Sequence, residues 1–98
     1  MSFYLTNVSQ FVETKGNTNW WKWTARIKVE GDSSLDEIKY VEYQLHSSFK
    51  NPIKRIRKIE GGFALTMKGW GVFQLKARLI FVDPSIEPVL LVHMLEFD

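Results

Sequence analysis

The chain contains no cysteine. That excludes a disulfide scaffold, a thiolate metal centre and a cysteine nucleophile, and it fits a reducing compartment. Apolar runs are short, and none nears the roughly 18 residues that a membrane-spanning helix needs. The N-terminus lacks a basic stretch followed by an apolar one, so no secretory signal is legible. Charge of one sign is also scarce. Thirteen Lys and Arg against eleven Asp and Glu leave a formal +2, too little to call for nucleic acid. There is no internal repeat, no low-complexity segment and no Gly-rich loop opening a helix to cradle a phosphate. The two histidines, His46 and His93, are far apart in sequence, so no metal-ligand spacing is present. With no targeting signal, the expected location is intracellular and cytoplasmic.

Aromatic residues are what the chain has instead. Seven Phe, four Trp and three Tyr in 98 residues can build a core that stands without staples. The length bounds it to one domain, residues 1–98. Polar and glycine-containing breaks cut it into segments of strand length, the pattern of an all-β sandwich or barrel. Residues 21–30 are the clearest strand. Trp21, Trp23, Ala25, Ile27 and Val29 alternate with Lys22, Thr24, Arg26, Lys28 and Glu30, giving one buried face. Residues 73–82 repeat the pattern, with Phe73, Leu75, Ala77, Leu79 and Phe81 inward. Val41, Tyr43 and Leu45 share a face, and Phe63, Leu65 and Met67 form another alternating set. Residues 89–97 are apolar on both sides and read as a central or heavily covered strand. Residues 3–12 are β-rich but poorly phased, as a bulged strand would be. Ser34 and Glu37 have capping-box spacing and predict one helical turn before the strand that starts near Ile38. The sum is seven or eight antiparallel strands in two packed sheets.

Few residues point to chemistry. Ser48 and His46 are close in sequence, but no acid is legible to orient the histidine, so no catalytic residue is assigned. His93 reads as a packed histidine satisfied by a backbone group. Lys50, Lys54, Arg55, Arg57 and Lys58 form the densest basic run, read as a solvated strand face with Ile53, Ile56 and Ile59 on its packed side. Aromatic interleaving of the kind used by single-strand nucleic-acid binders is missing from it. Two loops are harder to assign to packing alone. One reads LHSSF at residues 45–49; the other reads GWGVF at residues 69–73, with Trp70 between two glycines that let the backbone come close to a ligand.

These motifs, in this order, with a Pro and a basic stretch after the first and an HMLEF-like strand at residues 93–97, resemble the YEATS domain family, most closely its prokaryotic branch. The resemblance runs from about residue 23 to 97. It implies an immunoglobulin-like β-sandwich. It also implies a non-enzymatic module that recognises an acylated lysine, such as acetyl- or crotonyl-lysine, in an aromatic slot at one end of the sandwich. By that resemblance Phe49 and Trp70 wall the slot, Ser48 bonds the acyl amide and the Trp70 N–H holds the acyl carbonyl. His46 positions Ser48, while Gly69, Gly71 and Phe73 shape the second loop. Trp20, directed opposite to Trp21 and Trp23, is a candidate extra pocket or surface aromatic. Asp83 and Glu87 lie where some family members carry an acid for histone tails, but in a different context. No cofactor or metal is implied. The partner would be an acylated protein or peptide. The alternative is a protein–protein interaction domain of a prokaryotic membrane-associated or signalling assembly, with no acyl-lysine binding.

Overall fold

The computed structural model describes residues 2–97. Seven strands follow one another: β1 (Ser2–Lys15), β2 (Thr18–Glu30), β3 (Ile38–Gln44), β4 (Ile53–Ile56), β5 (Leu65–Gly69), β6 (Gln74–Phe81) and β7 (Val89–Met94). They form two antiparallel sheets, β1-β2-β5 and β4-β3-β6-β7, stacked as an immunoglobulin-like sandwich. No helix is long and apolar enough to cross a membrane among the described residues.

The alternation in β2 and β6 is what closes the core. Trp23, Ala25 and Ile27 from β2 face Leu75, Ala77, Leu79 and Phe81 from β6, and all are buried. Val41 and Tyr43 of β3 fill the space between. Among the described residues no polar or charged residue is buried, so burial of apolar area carries the fold, at about 25 cal/mol per Å². The bulge foreseen in the first strand falls between Phe11 and Glu13, where the register with β2 slips. The turn before β3 is also as its capping box predicts. The Ser34 hydroxyl accepts from the Asp36 N–H at 3.2 Å, and the Ser34 N–H donates to Glu37 Oε2 at 2.7 Å.

Four readings are corrected. Phe63 does not belong to a strand. It ends a single helical turn, Glu60–Phe63, with φ at +54°, because Gly61 and Gly62 before it turn the chain left-handed. Its side chain is buried all the same, and its carbonyl accepts a 2.7 Å hydrogen bond from the Tyr43 hydroxyl. Second, β7 is an edge strand rather than a covered one: Leu90, Val92 and Met94 are exposed. Third, only Ile56 of the basic run packs on the core, while Ile53 and Ile59 are exposed. β4 is too short and too near the sheet edge to bury a full apolar face. Fourth, His93 is satisfied by a side chain: its Nε2 lies 2.7 Å from Asn7 Oδ1. β1 crosses close enough to β7 for Asn7 to reach it.

Candidate ligand-binding site

One end of the sandwich is open. β3 and β4 are joined there by residues 45–52, and β5 and β6 by residues 70–73. The two connections leave a cleft of about 360 Å³ between them. All seven residues singled out from the two motifs line it: His46, Ser48, Phe49, Gly69, Trp70, Gly71 and Phe73. Trp20, Lys68 and Val72 complete the wall.

The first loop is held by its own hydrogen bonds. The Phe49 N–H donates to the His46 carbonyl at 3.0 Å, closing a tight turn. The Leu45 N–H donates to the Pro52 carbonyl at 2.7 Å, closing the base. Inside the turn the Ser48 N–H donates to His46 Nδ1 at 3.1 Å, and the Ser48 hydroxyl lies 2.9 Å from the same nitrogen. A ring nitrogen that accepts from an amide carries no proton, so the hydroxyl must donate to it as well. The proton of Ser48 is therefore engaged by His46. Its oxygen lone pairs remain as acceptors.

Phe73 is the hub beneath the cleft. Its ring centroid lies 5.5 Å from Phe49, 6.2 Å from His46 and 5.9 Å from Trp23, the last an edge-on contact. It ties the first loop to the core and to the start of β6. Trp70 is 65 % exposed, so its ring is a wall rather than a plug. Gly69 and Gly71 have ordinary negative-φ backbones. A Cβ at 69 would meet Trp23 Nε1 at 3.8 Å and Phe49 Cζ at 3.9 Å, and one at 71 would meet open space. The fold itself therefore demands glycine at neither position. The indole N–H of Trp23, buried below Gly69, has no hydrogen-bond partner among the described residues.

The rim is cationic. Lys68 Nζ sits 5.6 Å from the Trp20 ring centroid and Lys15 Nζ 5.9 Å. Both ammonium groups share Glu13, at 3.0 and 3.6 Å. The hydrogen bond and charge of Lys68 hold the Glu13 carboxyl below the usual carboxylate range. Trp20 thus faces the cleft, whereas Trp21 stacks on Phe97 at 5.5 Å in a separate aromatic row. Lys68 and Val72 were not singled out from the sequence. Lys68 is an outward, exposed residue of β5 beside Gly69, and nothing in the sequence sets it apart from a solvated lysine. Asp83 lies beyond the opposite end of β6, where it accepts from the Ser85 N–H and hydroxyl at 2.9 and 2.8 Å. Those bonds lower its pKa and commit it to a turn.

Two sheets with an open, aromatic-walled end define a β-sandwich of the YEATS type. The family profile described as "prokaryotic YEATS domain" matches residues 21–90, and the chain belongs to that family. Among curated relatives it is 38 % identical over 69 residues to the AF-9 homolog of Saccharomyces cerevisiae, covering 69 % of this chain and 30 % of that protein. It is 35 % identical over 66 residues to the AF-9 homolog of Candida glabrata, covering 66 % of this chain and 29 % of that one. The chain therefore spans about a third of the length of these relatives. The fold agrees with solved structures of the yeast Yaf9 YEATS domain. One, bound to an acetylated histone H3 peptide, superposes with a TM-score of 0.79 at 21 % identity, over 98 % of this chain and 71 % of that one. Another, recognising a succinylated histone H3 peptide, gives 0.78 at 22 % identity, over 97 % and 71 %.

Proposed function

We propose that this cleft binds the acylated side-chain amide of a lysine on a protein or peptide. In this reading residues 1–98 act as one non-enzymatic reading domain that needs no cofactor. The observation that carries the proposal is the hydrogen-bonding state of Ser48. With its O–H directed at His46 Nδ1, 2.9 Å away, the hydroxyl keeps its oxygen lone pairs as acceptors in a half-apolar slot. An acyl amide offers the matching N–H. The Trp70 backbone N–H is the donor for the acyl carbonyl, and the rings of Phe49 and Trp70 flank the flat amide. Each such stacking contact adds about 0.5–1.5 kcal/mol.

The same geometry disfavours an unmodified lysine. Its ammonium would lose hydration in a slot offering few acceptors. At the rim it would meet Lys68 and Lys15, which already occupy the face of Trp20. The cleft is open, which supports this reading over an interaction domain whose end is plugged by Phe49 packed on Trp70. That Yaf9 domains bind acetylated and succinylated histone peptides supports it as well.

The test is calorimetric titration with single lysines capped as N-acetyl methylamides and carrying Nε-acetyl, Nε-crotonyl or no modification. Saturable binding of the acylated compounds alone supports the proposal. Equal heats for all three, or none for any, refute it.

A further inference from the structure

The two sheets end in four edge strands: β1 and β5 in one, β4 and β7 in the other. An edge strand invites pairing with another chain unless something discourages it. β4 is four residues long and holds Lys54 and Arg55. β5 carries Lys68 within five residues. β1 is broken in register by its bulge and ends with Glu13 and Lys15. β7 has no such guard. It reads VLLVHM, without a formal charge, a proline or a bulge. Its outward side chains Leu90, Val92 and Met94 are 57, 49 and 55 % exposed.

The backbone of β7 is open on the same residues. In a strand the N–H and C=O of one residue point to one side, and those of the next to the other. The Leu95 N–H donates to the Phe73 carbonyl at 3.1 Å, so it faces β6. Glu96 faces the free edge, where the Asn7 side chain takes both of its groups. Asn7 Nδ2 donates to the Glu96 carbonyl at 2.9 Å, and the Glu96 N–H donates to Asn7 Oδ1 at 3.1 Å. By the same alternation Leu90, Val92 and Met94 turn their N–H and C=O groups to that edge. Asn7 closes it at residue 96, and no other described strand pairs with it at 90–94.

We propose that this edge pairs with the same edge of a second copy of the chain, antiparallel, about a two-fold axis at Val92. The pattern is its own complement. Leu90 of one copy lies opposite Met94 of the other, and Val92 lies opposite Val92. These three pairs exchange six N–H···O bonds and form an apolar ladder on the outer face. The two four-stranded sheets become one of eight strands. The nearest cations, Arg78 and Lys76, are one strand in, beside Leu90 and Val92. Three strand spacings, about 14 Å, separate the two β6 strands, which exceeds the screening length at physiological salt. A charged partner strand would find no countercharge on β7, whereas a second copy finds apolar residues throughout. Three residue pairs on a six-residue strand make a small contact beside the roughly 1,200–2,000 Å² typical of a stable complex, so the association is reversible and concentration-dependent. Because Gln74 pairs with Met94, the cleft lies at the Met94 end of β7. Antiparallel pairing then puts two clefts at opposite ends, both open. Dimerisation and ligand binding are independent, and each can fail without the other.

Sedimentation equilibrium across micromolar to millimolar concentration tests this. The unaltered chain is expected to show a monomer–dimer equilibrium, with concentration-dependent amide shifts centred on residues 90, 92 and 94. Val92→Lys places two ammonium groups at the axis and is expected to weaken the dimer at least about tenfold. Leu90→Lys is expected to do the same should Val92→Lys disturb the fold. Ile53→Lys, on the guarded edge of the same sheet, is expected to leave association unchanged. A chain that stays monomeric throughout overturns the proposal. So does association that survives both β7 variants, that Ile53→Lys abolishes equally, or that continues beyond the dimer.

Discussion

Removing one oxygen atom from Tyr43 should cost this domain a sizeable part of its stability. Tyr43 has no solvent exposure, and its hydroxyl donates to the Phe63 carbonyl at 2.7 Å. That carbonyl belongs to a buried residue held at φ +54°, just before β5 leads to Gly69 and Trp70. Phe in place of Tyr keeps the ring packing and deletes only the donor. The lost bond is worth about 1 kcal/mol net, and an acceptor left unpaired in the core costs about 1 kcal/mol more. A loss of about 2 kcal/mol moves the urea midpoint by roughly 1.3 M for an m-value near 1.5 kcal/mol/M. It lowers Tm by roughly 8–16 °C.

The hydroxyl also gives a pH signature. Burial raises the Tyr43 pKa, with the charge of Arg26 opposing weakly. The raised value means that the folded state keeps a proton which the unfolded state releases above about pH 10. The stabilisation is therefore complete below that pH and is lost as pH rises toward the folded pKa. Tyr43→Phe should remove this alkaline slope, so the two stability curves should converge there. Urea titrations of both proteins at neutral and alkaline pH measure it. A neutral-pH difference below about 0.5 kcal/mol, or parallel alkaline curves, would refute the reasoning.

Gly62→Ala should be more damaging than Gly61→Ala, although both residues have positive φ. A Cβ at 62 lands on the Ile27 carbonyl oxygen, whereas one at 61 meets only Ala64 Cβ at 3.5 Å. The expected costs are about 3 and about 1 kcal/mol, read from denaturation midpoints. Ser34→Ala should cost about 1 kcal/mol by unmaking the capping box before β3, while ligand affinity stays unchanged in calorimetry. Trp70→Ala should weaken acyl-lysine binding by about 2–4 kcal/mol and leave the melting temperature nearly unaltered, since the ring is exposed in the free protein.

The sequence makes the sandwich legible where alternation is strict and one face is covered. β2 and β6 are central strands, and their inward residues are those the period-two pattern selects. The pattern misleads at the edges. Residues 89–97 are apolar on both faces, which a single strand cannot distinguish from central burial, because burial depends on what lies beside it. Ile53 and Ile59 are exposed for the same reason. Phe63 is apolar and buried, but the two preceding glycines set its backbone, and alternation carries no information about φ. The cleft was legible only through the family resemblance carried by the two loops together, LHSSF at 45–49 and GWGVF at 69–73; either loop alone reads as packing at the end of a sandwich. Lys68 was not, since an outward Lys on a strand looks the same whether it faces solvent or a cleft.

The central claim is that the cleft between residues 46–49 and 69–73 holds an acyl amide. Backbone and ring proton NMR, with Nε-acetyllysine capped as its N-acetyl methylamide, tests it most directly. The account predicts intermolecular contacts from the acetyl methyl group to the Phe49 and Trp70 rings, with saturable amide shifts at Ser48 and Trp70. Saturable shifts that fall elsewhere on the sandwich, or none up to the solubility of the ligand, would contradict it.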